Sequence, residues 1–453
     1  MNTSQVLCAN VHGSRWENIT QTVRHEAKRS LLNYFAVGFA GSHDTTIEKL
    51  VQTYTAFSAN QHASIIGRAE RTDMLNAAAL NAMSANVFDY DDTHLQTVIH
   101  PTAPIAAALL AYAQEHKVSG PEFLHALILG MEVECRVGNA ISPYHYGRGW
   151  HITSTCGALG AAIAIGHLLR LSPTQLNWAL GGAANQACGI VETLGTMAKS
   201  LSVGNAARNG MLSALLAAND FDGPLAPLDG VRGFLNVMGE KPDLAGINAA
   251  FGTHWEMALN TYKPYPCGIV LNPVIEACLA LSAQADVAHD LEQRVKSIEV
   301  TGQKLLRDRT DRPGVQTGRE SQVSAQHAVP VALLRGRAGL AEFSDEAVRD
   351  PAIRSLGQRV RFTEDNKMSI DAARVTLHFH EGEAVTFNVK QARGSTARPL
   401  TDRNLESKFR ELCDLSKSGC DQNRLMDAIW QIEKLDDVGA LMGLATQTSG
   451  ASA

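Results

Sequence analysis

In the run Thr153-Ser154-Thr155-Cys156-Gly157-Ala158-Leu159-Gly160-Ala161-Ala162 only Leu159 is large. Such a stretch is too small-residued for an ordinary surface helix, and alanine at this density disfavours a strand. It fits a buried helix whose neighbours press against it. Polar clusters flank it on both sides. Tyr144-His145-Tyr146-Gly147-Arg148-Gly149-Trp150-His151 precedes it, and residues 196–210, with Lys199 and Arg208, follow. A chain written this way holds a few charged groups inside an otherwise apolar helical body.

At 453 residues the chain exceeds the size at which one core keeps growing, so two domains are expected. A net charge of -6 with scattered basic residues gives no footprint for nucleic acid. The first twenty residues show no basic leader followed by an apolar core. No apolar run of about 18 residues is present, and the richest stretch, 156–171, is broken by His167 and Arg170. The eight cysteines are far apart and form no C-x-x-C pair, which points to reduced thiols in a cytoplasm rather than to disulfides or structural zinc.

From His25 to about Leu259 apolar residues return every three or four positions and alanine recurs, so the text is helical. Ser119-Gly120-Pro121 starts one helix, and Ser172-Pro173-Thr174-Gln175 a second over 173–187, with the preceding helix ending at Leu171. Residues 85–101 break the pattern and are expected to form a loop. At Lys263-Pro264-Tyr265-Pro266-Cys267-Gly268 the prolines forbid helix. A further helix over 273–284 and a strand over 295–300 follow, then a hairpin whose apolar face is Val375, Leu377 and Phe379 against Val385, Phe387 and Val389. Leu405, Phe409 and Leu412 restore the helical period, and the tail from Thr446 is expected to fray. The predicted fold is mainly α with a smaller α+β domain. Residues 1–261 and 395–453 form the all-helical part, and 262–394 the α+β domain.

Four clusters could carry chemistry. Asp89-Tyr90-Asp91-Asp92-Thr93 with His100 lacks the alternating ligands and glycine turn of a hard-metal loop, and a solvated acidic loop is its bland reading. Asp89 follows Val87-Phe88, and His100 follows Val98-Ile99, which argues that both point inward. Tyr146 and His151 are able to exchange protons near neutrality. Lys199, among Met197, Leu201 and Val203, needs an anionic partner or a lowered pKa unless it snorkels to water. Lys263 hangs at the junction between domains, where pockets are frequent. His327, alone on an apolar stretch, reads as a satisfied core histidine. His378 and His380 share a solvated strand face and lack a third zinc ligand.

Five blocks in order resemble the MmgE/PrpD family of 2-methylcitrate dehydratases, cis-aconitate decarboxylases and iminodisuccinate epimerases. They are Asp89-Tyr90-Asp91-Asp92-Thr93 with His100-Pro101, then Gly149-Trp150-His151-Ile152-Thr153-Ser154-Thr155, then Gly195-Thr196-Met197-Ala198-Lys199. Gly204-Asn205-Ala206-Ala207-Arg208-Asn209-Gly210 and Lys263-Pro264-Tyr265-Pro266-Cys267 complete the set. The resemblance implies a homodimer and a site between the domains that uses neither cofactor nor metal. It places Asp89, Thr93, His100, His151, Lys199 and Lys263 in that site. His327 falls where decarboxylase members often carry a tyrosine.

The implied activity is that of a lyase, a dehydratase or decarboxylase, on a citrate- or aconitate-like di- or tricarboxylate. Asp89, His100, His151 and Lys199 would do the chemistry, and Thr93, Tyr146, Lys263, Arg208 and His327 would hold the acid. An epimerase of a substituted succinate and a non-catalytic carboxylate-binding protein are the alternatives.

Overall fold

The small-residue run is the helix Ile152–Leu168, buried from Ile152 to Gly166. The computed structural model describes residues 1–446 apart from 286 and 288; the tail expected to fray lies, beyond Thr446, outside them. Close backbone approaches account for the small side chains. A Cβ on Gly160 would stand 2.8 Å from the carbonyl oxygen of Gly130, and one on Gly130 would stand 2.9 Å from that of Gly160. Helix Gly120–Ile141 therefore touches the central helix backbone to backbone. Helix Ala198–Ala218 does the same at Gly210, where a Cβ would meet the Ala158 carbonyl oxygen at 2.5 Å. No larger residue fits these crossings at native packing density.

Both expected helix starts close as capping boxes, Ser119 with Glu122 and Ser172 with Gln175. The helix expected to reach Leu171 stops at Leu168. Arg170 turns left-handed (φ 54°), and the Leu171 N–H bonds back to the Gly166 carbonyl.

The expected loop over 85–101 is more ordered than its polarity suggests. Helix Met74–Asn86 runs into it, and Asp92–His94 forms a strand paired antiparallel with Asn260–Tyr262, in register Asp92↔Tyr262 and Thr93↔Thr261. Asp91, Asp92, Thr93 and His94 are all buried. This ribbon fastens residues 89–91 beside 263, across more than 170 residues of sequence.

Beyond it a four-stranded sheet runs in the order Val360–Glu364, Val295–Gly302, Ala373–Phe379, Val385–Val389. The first pair is parallel and the rest antiparallel. The expected hairpin has Val375 opposite Phe387 and Leu377 opposite Val385. Val360–Glu364 was not foreseen, because a short strand carrying Arg361 looks like solvated surface.

The two largest apolar core groups run from Leu7 to Tyr262 with Leu400 to Ala445, and from Tyr265 to Ala392, with two small groups beside them. On that basis we propose 262 and 394 as the borders of the two units. Helix Asp402–Ser416 returns to the first group with Leu405, Phe409 and Leu412 buried. Its Lys408 ammonium donates to Asn33 Oδ1 at 2.9 Å, Tyr90 O at 2.8 Å and Lys263 O at 3.0 Å. No helix among the described residues is long and apolar enough to cross a membrane.

Candidate active site

A narrow cavity of about 40 Å³ lies where the two core groups meet. Asp89, His100, Tyr146, His151 and Lys199 line it from the helical body; Lys263, Ile269, Val270, Arg309 and Val323 line it from the α+β side. The Asp89 carboxylate on its wall gathers three of these groups. Lys263 Nζ donates to Asp89 Oδ1 at 2.7 Å and to its backbone oxygen at 3.0 Å. Lys199 Nζ stands 3.2 Å from the same Oδ1, and His100 Nε2 3.6 Å from it. Burial pushes this carboxyl up, but Lys199 and Lys263 overcome it and hold Asp89 ionised, well below the usual range. Lys199 thus has the anionic partner its apolar surroundings demanded, although its ammonium completes no hydrogen bond among the described residues.

Two lining residues adopt left-handed backbone, Asp89 at φ 51° and Val98 at φ 57°. For a β-branched residue this conformation is costly, of order 1–3 kcal/mol. Both lie against the cavity, so the surrounding structure holds strain where the reactive groups are presented.

The hydrogen bonds of the two imidazoles fix their tautomers. His100 Nδ1 donates to the Asp92 carbonyl at 2.7 Å, with Thr93 Oγ1 at 3.2 Å, which leaves Nε2 bare toward Asp89. His151 Nδ1 lies 2.6 Å from Ser154 Oγ, which lies 2.6 Å from Ser202 Oγ, whose hydroxyl donates to the Lys199 carbonyl at 3.0 Å. A chain that ends on a carbonyl can run only one way, so His151 donates from Nδ1 and its Nε2 is a free base. Burial lowers both imidazoles, His100 to about 4 and His151 to about 3, with Lys199 adding to the effect on His151. Both are neutral near pH 7. Tyr146 is kept as a neutral phenol by burial.

Asp89, Asp91 and His100 bring ligand atoms within 4.8 Å of one another, as a metal site would. The Lys263 ammonium already stands between the carboxylates, 2.7 Å from Asp89 and 3.9 Å from Asp91. The donor set is thus matched to an ammonium, and a divalent ion would meet two like charges there.

Of the expected site residues, Asp89, His100, His151, Lys199, Lys263 and Tyr146 line this one cavity. Three do not. Thr93 is buried behind it and meets the His100 ring. Arg208 bonds Asn205 Oδ1 at 2.8 Å and lies over the Tyr54 ring, because its helix turns that face away. His327 Nε2 donates to the Glu342 carbonyl at 2.7 Å beside a separate, larger hollow of about 300 Å³, in the satisfied core role its apolar stretch suggested. His145 is structural too, tied to Met238 O at 2.9 Å and Thr155 Oγ1 at 2.8 Å.

Arg309 and the Ser154–Ser202 relay were missed. Arg309 hides in the charged run Lys304 to Arg312, which reads as surface. The spacing of Leu306, Arg309 and Thr310 on one helical face was the available signal.

These features define a two-part helical and α+β protein with a lysine–carboxylate–imidazole cavity at its seam. Residues 5–246 match the MmgE/PrpD N-terminal domain and residues 265–432 the MmgE/PrpD C-terminal domain, and the chain belongs to the MmgE/PrpD family. The second match runs through the returning helices, which pack in the first core group. Among its relatives are a cis-aconitate decarboxylase of Aspergillus terreus, 26% identical over 94% of this chain and 92% of the relative, and a cis-aconitate decarboxylase-like protein, oryM, of Aspergillus oryzae, 28% identical over 98% and 97%. The cis-aconitate decarboxylase of Mus musculus is 26% identical over 94% and 89%.

Proposed function

We propose that the protein is a cofactor-independent lyase acting on a citrate- or aconitate-like acid by proton transfer at a carbon next to a carboxylate. The observation that carries this reading is the pair of bare imidazole bases beside two ammonium groups that share one carboxylate oxygen. The relatives named as cis-aconitate decarboxylases support the same class of substrate.

Removing a proton, or CO2, from such a carbon leaves an electron pair that spreads into the neighbouring carboxylate as an enolate-like dianion. Lys199 and Lys263 would hold that charge as it develops, in a cleft with little water. Each charge-assisted hydrogen bond contributes roughly 1.5–3 kcal/mol. In dehydration one imidazole takes the proton at Nε2 and the other, protonated from solvent, gives its proton to the leaving hydroxyl, which departs as water. In decarboxylation an imidazole protonated from solvent gives its proton to the carbanion that CO2 leaves behind. The carboxylates of an entering acid raise both imidazoles from their low resting values toward the range where proton exchange is fast. Asp89 keeps the lysines in place and is set to face the His100 base. The cavity admits only a few waters as it stands, so an acid of four to six carbons enters when the α+β side lifts from the helical body.

Two bases on separate elements also suit an epimerase of a substituted succinate, which removes a proton on one face and restores it on the other. Proton NMR in deuterated water with cis-aconitate, 2-methylcitrate and a chiral amino- or hydroxysuccinate separates the readings. A new alkene or lost CO2 is expected. Deuterium uptake with inversion and no elimination would establish the epimerase instead. Binding without exchange of any acid would leave only a carboxylate-binding protein.

A further inference from the structure

The α+β side of the cavity holds a cation that no hydrogen-bond acceptor among the described residues satisfies. Helix Lys304–Thr310 presents most of its charges to solvent, where they pair: Lys304 with Asp308 at 2.6 Å, and Arg307 with Glu364 at 3.2 Å. Arg309 and Thr310 alone turn to the cavity. The Arg309 guanidinium carbon lies 3.8 Å from the centre of the Tyr146 ring, and its Nε is buried. Among the described residues no oxygen accepts a hydrogen bond from it, and no carboxylate stands within 4 Å.

A guanidinium carries five N–H donors; here Nε is buried without an acceptor, and the half-buried side chain leaves its other donors without a protein partner among the described residues. The Tyr146 ring attracts the cation but offers its N–H groups no oxygen or nitrogen acceptor. Asp89 is the sole carboxylate among the lining residues, and its Oδ1 is already shared by Lys263 and Lys199. The rest of the wall is largely apolar: Val98, Ile152, Leu194, Ile269, Val270 and Val323. Three cations therefore face one anion, and the third has its donors unused at the end supplied by the α+β side.

We propose that Arg309 receives a substrate carboxylate remote from the reacting carbon, so that the protein selects acids with at least two carboxylates, one for the lysine pair and one for the guanidinium fork. A planar fork matches a carboxylate through two parallel hydrogen bonds, which an ammonium cannot reproduce. Because Arg309 belongs to the side that must lift for entry, its bond to the acid forms on closure and couples recognition to exclusion of water. This inference rests on the cavity being an acid-binding site.

The test compares the wild type with Arg309→Gln and Arg309→Lys, measuring dissociation constants by NMR for succinate, cis-aconitate and the monoacid butyrate, and the melting temperature without ligand. Arg309→Gln is expected to weaken both polyacids about 10- to 100-fold, the loss of one bidentate charged contact. Butyrate binding should change less than about twofold, and Arg309→Lys should fall between. The ligand-free melting temperature should stay level, since the side chain gives up no hydrogen bond or ion pair to another described residue. Unchanged polyacid binding in Arg309→Gln overturns the proposal while leaving the cavity reading intact. So does a lowered melting temperature with equal losses for butyrate and polyacids, which marks a structural role. A wild type that binds none of the acids overturns both.

Discussion

Two of the buried charge clusters among the described residues are finished differently. In the first, Arg136 donates to Glu132 at 2.5 Å and to the backbone oxygens of Ile247 at 3.0 Å, Ala249 at 2.7 Å and His254 at 3.0 Å. Glu132 accepts from the Glu256 N–H at 2.7 Å, and Glu256 is bonded to His94 at 3.0 Å. That network is closed. In the second, around Asp89, the Lys199 ammonium and the Arg309 Nε have no hydrogen-bond acceptor, and two imidazoles face the space with bare nitrogens. Polar groups satisfied on every side hold a fold together. Groups left open around a cavity are what a ligand completes.

The contrast is open to attack, first at its largest expected effect. Lys199→Ala and His151→Ala should each reduce turnover by at least about a thousandfold while the melting curve stays cooperative, because the open cluster gives up a reactive group rather than a structural one. Arg136→Ala should do the opposite. It leaves Glu132 buried without its partner, costs about 3–5 kcal/mol by denaturant unfolding, and leaves turnover per folded molecule unchanged. Equal stability losses in Lys199→Ala and Arg136→Ala would erase the distinction.

The next effect concerns acid. His100 and His151 sit near 4 and 3 in the folded protein against about 6.5 in the unfolded chain. Between those values the unfolded state binds more protons, so stability rises with pH across the window. The contribution is complete above about 6.5 and is lost as pH falls toward 3. Melting temperature should therefore drop between pH 7 and pH 4.5, less steeply in His151→Gln. A bound polycarboxylate, by raising the imidazoles, should flatten the slope further.

Smaller still is the effect of removing divalent ions. Because the Lys263 ammonium fills the place between Asp89 and Asp91, turnover after exhaustive chelation should match the untreated protein within assay error. A loss restored by one added metal would contradict that assignment. Last, Arg208→Ala and His327→Phe, both away from the cavity, should change turnover less than about twofold in a steady-state assay.

Much of this architecture was legible in the residues, and the gaps have physical causes. Periodicity carried the helices and the hairpin, since burial on one face is written directly into spacing. The five family blocks named Asp89, His100, His151, Lys199 and Lys263, and a ribbon pairing 92–94 with 260–262 gathers the first and last of these. What residue types do not record is whether a polar group finds its partner. Arg208 was expected to hold the acid, yet it is a helix-surface contact, and His145, in the same cluster as His151, is a staple between two segments. Arg309 looked like surface because its neighbours are. The acidic run 89–92 looked like solvent-facing loop because the cations that permit its burial, Lys199, Lys263 and Lys408, lie far along the chain.

The central claim is that the unfilled donors around Asp89 are acceptor sites for an acid. A crystal structure grown with a polycarboxylate tests it most directly. The account expects carboxylate oxygens within hydrogen-bonding distance of Lys199 Nζ, with a substrate carbon in reach of His100 or His151 Nε2. An acid bound elsewhere, with Lys199 still resting on Asp89 alone, would contradict it.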